Sequence, residues 1–167
     1  VDSGGGPNGV HSSSIETAMR SILAANQDKN WFAVQFHHPA KSCTYYGDGA
    51  TEGYFGTFDG AGGTKRVDFL FEGHSHSFER TKPLNSGGVA LDSNGPYVDP
   101  PGTISIVAGS PAKIASGSST CGLTAHQEDT VGVLVVDVNC DTVTLTMYDT
   151  SGPGAGTEEG GGLSSCS

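Results

Sequence analysis

The chain has 167 residues, 26 of them glycine, with 35% hydrophobic residues and a formal net charge of −10 from 18 acidic against 8 basic side chains. Nucleic acids and anionic membranes select basic patches, so this balance argues against both as main partners. No stretch approaches the ~20 apolar residues of a membrane span. The length suits one domain whose core comes from a few short apolar runs separated by Gly/Ser-rich loops.

In chain order, Val1-Asp2-Ser3 reads as the end of a strand and Gly4 to Gly9 as a loop. There is no initiator Met and no charged-then-apolar leader pattern, so the sequence reads as part of a longer or processed chain. Ser13-Ser14-Ile15-Glu16 has the spacing of a capping box. Ile15, Ala18, Met19, Ile22 and Leu23 follow at helical spacing and predict an amphipathic helix from Ser14 to about Ala25. Trp31 to His37 is almost wholly apolar and predicts a strand buried on both faces. Ala40 to Lys65 is a long loop carrying Tyr45, Tyr46, Tyr54 and Phe55, expected to form an ordered lid.

Arg66 to Phe71 predicts another buried strand, and Thr103 to Gly109 a third. Pro111 to Asp129 reads as a polar loop. Val131 to Val138 and Thr142 to Tyr148 predict a hairpin around Asn139-Cys140-Asp141, with Val143, Leu145 and Met147 on one face. Residues 151–167 read as a loose Gly/Ser-rich tail after a 1–150 domain.

Cys43, Cys121, Cys140 and Cys166 are widely spaced, with no Cys-x-x-Cys pair. Two disulfides in an exported, extracellular protein are therefore expected rather than a zinc knuckle. Three pairings are open; Cys43–Cys121 with Cys140–Cys166 is preferred, since it ties two loops together and pins the tail.

Of the six histidines, His37, His74 and His76 stand at the ends of predicted buried strands. Open α/β sheets place their chemistry there, and converging imidazoles suit a transition metal. His74 and His76 share a face unless the backbone turns between them. His38 reads as a turn residue before Pro39. Glu79 and Arg80 read as an ion pair bracing the loop behind a metal site.

Val67 to Arg80 contains Gly73-His74-Ser75-His76-Ser77-Phe78-Glu79-Arg80. It resembles the last signature of the calcineurin-like metallophosphoesterases in its purple acid phosphatase form, Gly-His-x-His-x-x-Glu-Arg. Val34-Gln35-Phe36-His37, followed by Pro39, resembles the preceding Val-x-x-His signature, and Ala108-Gly109-Ser110 also fits. The resemblance implies the C-terminal half of a four-layer α/β/β/α sandwich. It implies a phosphoric ester hydrolase with two metal ions, iron with zinc, manganese or iron. His37 and His74 would ligate one ion and His76 the other, with His74 and His76 as the catalytic pair. Glu79, Arg80 and His38 would support the ligands.

The family's earlier signatures, which supply aspartate and asparagine ligands, do not occur in this sequence; Gly47-Asp48 comes after His37. The expectation is that an N-terminal chain or segment of the same enzyme supplies them. The alternatives are a non-catalytic extracellular domain that keeps the fold, and a mononuclear three-histidine site.

Overall fold

The computed structural model describes residues 13–43, 66–91, 97, 100–109, 114, 121–140, 142–149 and 152–158. The expectations for Val1-Asp2-Ser3, the aromatic lid at 44–65 and Cys166 lie outside them. Among the described residues the order is one helix and eight strands: α1 (Ser13–Ala25), β1 (Ala33–Gln35), β2 (Phe69–Glu72), β3 (Phe78–Thr81), β4 (Ile104–Ala108), β5 (Thr124–Glu128), β6 (Gly132–Val138), β7 (Val143–Asp149) and β8 (Gly152–Glu158). The chain is thus mixed α/β, strand-rich with one helix, as the sequence implies.

Five strands form one sheet in the order β1-β2-β4-β3-β5, and β6-β7-β8 form a second. β1, β2 and β4 run parallel, while β3 pairs antiparallel to both β4 and β5. Alternation along β2 and β4 divides the core. Leu70 faces Met19 and Leu23 of α1 together with Phe36 and Leu84. Phe69, Ile104 and Ile106 face the other way, against Val143, Leu145 and Met147 of β7. Each of these buried side chains contributes about 1.5–3 kcal/mol of transfer free energy. The layers therefore run helix, five-stranded sheet, three-stranded sheet.

The expected hairpin forms between β6 and β7, with Val138 opposite Val143. Its turn is closed by Asn139 N–H donating to the Thr142 carbonyl at 3.0 Å and Thr142 N–H donating to Asn139 Oδ1 at 2.8 Å. β6 lies at a sheet edge and leaves Val133, Val135 and Val138 exposed.

Several expectations are corrected. The strand at Trp31–His37 is three residues long and not buried: among the described residues β1 is one edge of its sheet, and Ala33 and Gln35 are exposed. The buried stripe of α1 narrows to Ile15, Met19 and Leu23, because one ridge of spacing four meets the sheet while Ile22 stays 61% exposed. β5 lies within the stretch read as a polar loop, and β3 follows directly on the histidine turn. β8 falls in the stretch read as tail; it pairs with β7 through its backbone, which needs no apolar pattern.

Candidate metal centre

The parallel strands carry their carboxyl ends to one edge. Phe36 N–H donates to the Phe71 carbonyl, and Gly73 N–H donates to the His37 carbonyl, each at 3.0 Å. These bonds extend the β1–β2 pairing past both strands and lock His37 beside the glycine that precedes His74. A Cβ on Gly73 would lie 3.5 Å from that carbonyl.

The backbone then turns sharply. Ser75 N–H donates to the Gly73 carbonyl at 2.7 Å, closing a three-residue γ-turn with His74 at its apex. His74 has φ 63°, the one non-glycine residue with positive φ among those described. For an L-residue this costs about 1–2 kcal/mol. Such strain persists where surroundings impose it, commonly at functional sites.

One of those surroundings is Gly109. A Cβ there would collide with the Ser75 carbonyl and lie 3.0 Å from the Gly73 carbonyl carbon. The end of β4 packs this closely against the γ-turn only because residue 109 has no side chain.

The turn changes which histidines meet. The ligand nitrogens of His37, His38 and His74 lie within 4.8 Å of one another, and His76 falls outside this group. Ring centroids are 5.3 Å apart for His37 and His74, 4.4 Å for His38 and His74, and 4.9 Å for His37 and His38. His37 is exposed and the other two are half-buried. Beside them a cleft of about 340 Å³ is lined by Gln35, Phe36, His37, Glu72, Gly73 and Ala108, at the carboxyl ends of β1, β2 and β4.

Burial lowers the pKa of His74 from its ordinary 6.5, and His38, His37 and His76 lower it further. Burial, then His37, lowers that of His38. Both rings are thereby biased toward the neutral form that binds metal.

Two buried carboxylates hold the segment that follows the His37-His38 pair. Glu72 ends β2; it accepts from Ala40 N–H at 2.6 Å and from the Ser105 hydroxyl. Glu79, fully buried on β3, accepts from the Ser42 hydroxyl at 2.7 Å, from Cys43 N–H at 3.1 Å and from the Thr124 hydroxyl at 3.1 Å. The expected Glu79–Arg80 ion pair is replaced by two separate anchors, because consecutive strand residues face opposite sides. Arg80 instead donates to the Tyr97 hydroxyl at 3.4 Å, with its guanidinium 5.6 Å from that ring's centroid.

Cys43 is also tied by a disulfide to Cys121, with Cα atoms 5.7 Å apart, as preferred from the sequence. Cys140 is disulfide-bonded too, while its expected partner Cys166 lies outside the described residues. Reading from the sequence missed Glu72 and Gly109 as parts of the site. The available signals were an acidic residue ending an apolar run and a glycine closing a strand.

No protein-family model matches the sequence, and no curated protein matches it. Solved structures do. A purple acid phosphatase, PPD1, isolated from yellow lupin (Lupinus luteus) seeds superposes with a TM-score of 0.69 at 17% identity, over 92% of this chain and 28% of that one. GAP50, the anchor in the inner membrane complex of Plasmodium, superposes with a TM-score of 0.68 at 15% identity, over 90% of this chain and 44% of that one. The chain thus spans less than half of either neighbour's length. No helix among the described residues is long and apolar enough to cross a membrane. At these identities the likeness is one of fold: the chain has the fold of a purple acid phosphatase-like domain.

Proposed function

We propose that this chain supplies the histidine side of a metal centre that hydrolyses phosphate esters, either mono- or diesters. The observation that carries the reading is the meeting of His37 and His74 at the carboxyl ends of parallel strands in this fold. The donors fit the group: the closely spaced imidazoles of His37 and His74, the latter half-buried and biased toward neutrality, suit iron or zinc. His37 and His74 would hold one ion and His76 a second. Aspartate and asparagine ligands would come from another segment or an N-terminal chain of the same enzyme. When bound, such ions neutralise phosphate oxygens and lower the pKa of water.

The chain's own residues do the positioning. The Gly73–His37 backbone bond sets the spacing of the two ligand-bearing turns. Glu72 and Glu79 keep residues 40–43 from drifting off the cleft. The cleft admits a phosphate ester from solvent past the exposed His37. The Cys43–Cys121 disulfide supports an extracellular setting.

The test is hydrolysis of p-nitrophenyl phosphate by native material, with mass spectrometry for a co-purifying chain that carries aspartate and asparagine ligands. The expectation is metal-dependent activity with that chain present, lost in His74→Ala. A metal-loaded assembly of both chains with no activity on mono- or diesters would refute it.

A second reading, a non-catalytic domain, is favoured by one observation. The three-residue cluster contains no carboxylate among the described residues. GAP50, the anchor in the inner membrane complex of Plasmodium, has a similar fold. On that reading His74→Ala changes neither assembly nor any hydrolysis.

A further inference from the structure

We propose that His38 is a metal ligand, completing with His37 and His74 a three-histidine site for a single divalent transition ion such as Zn2+, made within this chain. This rests on the cluster's geometry and needs no phosphoesterase chemistry. His37 and His38 are consecutive, so on a continued strand their rings would point to opposite faces. β1 stops at Gln35, and the backbone bends through His37 and His38. Pro39 then restricts His38 to extended conformations. The result places the His38 ring 4.4 Å from that of His74, closer than His37 comes.

Three imidazole nitrogens about 2.0–2.1 Å from a tetrahedral ion stand roughly 3.4 Å apart. The ligand nitrogens here lie within 4.8 Å of one another, so each pair has to close by no more than about 1.4 Å. The bend is held from both sides. Gly73 N–H binds the His37 carbonyl, and Glu72 binds Ala40 N–H, two residues past His38. The exposure of His37 leaves a fourth position open to water or an incoming ligand. Three imidazole donors, with no carboxylate in the cluster among the described residues, favour Zn2+, Co2+, Ni2+ or Cu2+ over Mg2+ and Ca2+, which require oxygen donors. His76, outside the cluster, is not a ligand of this ion.

The experiment titrates the chelator-stripped, full 167-residue chain with Zn2+ by calorimetry and with Co2+ by visible absorption. It compares the wild type with His38→Ala, His38→Gln, His74→Ala and His76→Ala, each checked for folding by circular dichroism. The expected result is one ion per chain. Both His38 variants should weaken binding by more than about 100-fold, beyond the 10–100-fold typical of a residue that only supports a ligand. They should also alter the Co2+ ligand-field bands, while His76→Ala leaves them unchanged. In the wild type, Zn2+ should shift the His38 imidazole nitrogen resonances, a readout that needs no variant. A folded His38→Gln protein with wild-type affinity and an unchanged Co2+ spectrum would overturn the assignment. So would equal losses in His76→Ala and His38→Ala, or no stoichiometric binding by the wild type. Hydrolysis enters none of these readouts, so failure of the phosphoesterase reading is a separate result.

Discussion

Glu79→Gln isolates what holds the histidine segment in place. The carboxylate is fully buried and accepts from Ser42, Cys43 and Thr124. Ser42 binds Oε2 and Thr124 binds Oε1, while Cys43 N–H reaches both oxygens at 3.1 Å. Glutamine keeps the shape but turns one oxygen into an NH2 group that cannot accept. Cys43 retains an acceptor; either Ser42 or Thr124 loses one. The remaining bonds become neutral rather than charge-assisted. Bonds to charged groups contribute about 1.5–3 kcal/mol against about 0.5–1.5 kcal/mol for neutral ones, so losing one bond and weakening two is expected to cost about 4–6 kcal/mol. With a urea m-value of about 2 kcal/mol/M, the unfolding midpoint falls by about 2–3 M. Glu79→Ala removes every acceptor, and its loss takes a large share of the 5–15 kcal/mol typical of a domain. The assay is equilibrium urea unfolding followed by tryptophan fluorescence, Trp31 being the single tryptophan. A Glu79→Gln protein that unfolds at the wild-type midpoint would show that this network does not anchor residues 42–43.

Gly109→Ala drives a Cβ into the Ser75 carbonyl; the expected cost is about 1–3 kcal/mol in stability, with weakened Zn2+ binding because the γ-turn must shift. Calorimetric titration and urea unfolding of the same variant check the two effects together. His74→Gly relieves the positive φ and is expected to be about 1 kcal/mol more stable than His74→Ala, both variants losing metal affinity. Equal midpoints would argue against strain at the turn. In metal-free protein, the lowered pKa values of His38 and His74 mean that the unfolded chain binds protons first as pH falls through 6.5. Stability is therefore flat above about pH 6.5 and declines below it, and Zn2+ affinity declines over the same range. Urea midpoints measured from pH 8 to pH 5 check this. A His38→Gln/His74→Gln protein should show a shallower decline.

Elements with a strong local period were readable from the chain alone. α1 follows the four-residue spacing of Ile15, Met19 and Leu23, and β7 the alternation of Val143, Leu145 and Met147. β3 and β5 were not, because Phe78-Glu79-Arg80-Thr81 and Thr124 to Glu128 carry polar side chains on both faces. They become strands by pairing with each other and, for β3, with β4. The Glu79 carboxylate can be buried because its partners at 42–43 and 124 are more than thirty residues away and brought in by the fold.

At the candidate metal centre, sequence alone determined that histidines follow a strand and a glycine, since apolar runs, glycine and Pro39 are local features of the chain. Which histidines meet was decided by tertiary structure. The close approach of β4 at Gly109 and the positive φ of His74 set the turn. The bend after β1 then brought His38 into a group that leaves His76 outside. Spacing along a chain records which face a side chain takes while the backbone stays regular; at this site the backbone leaves the regular path at both histidine pairs, and long-range packing chooses the partners.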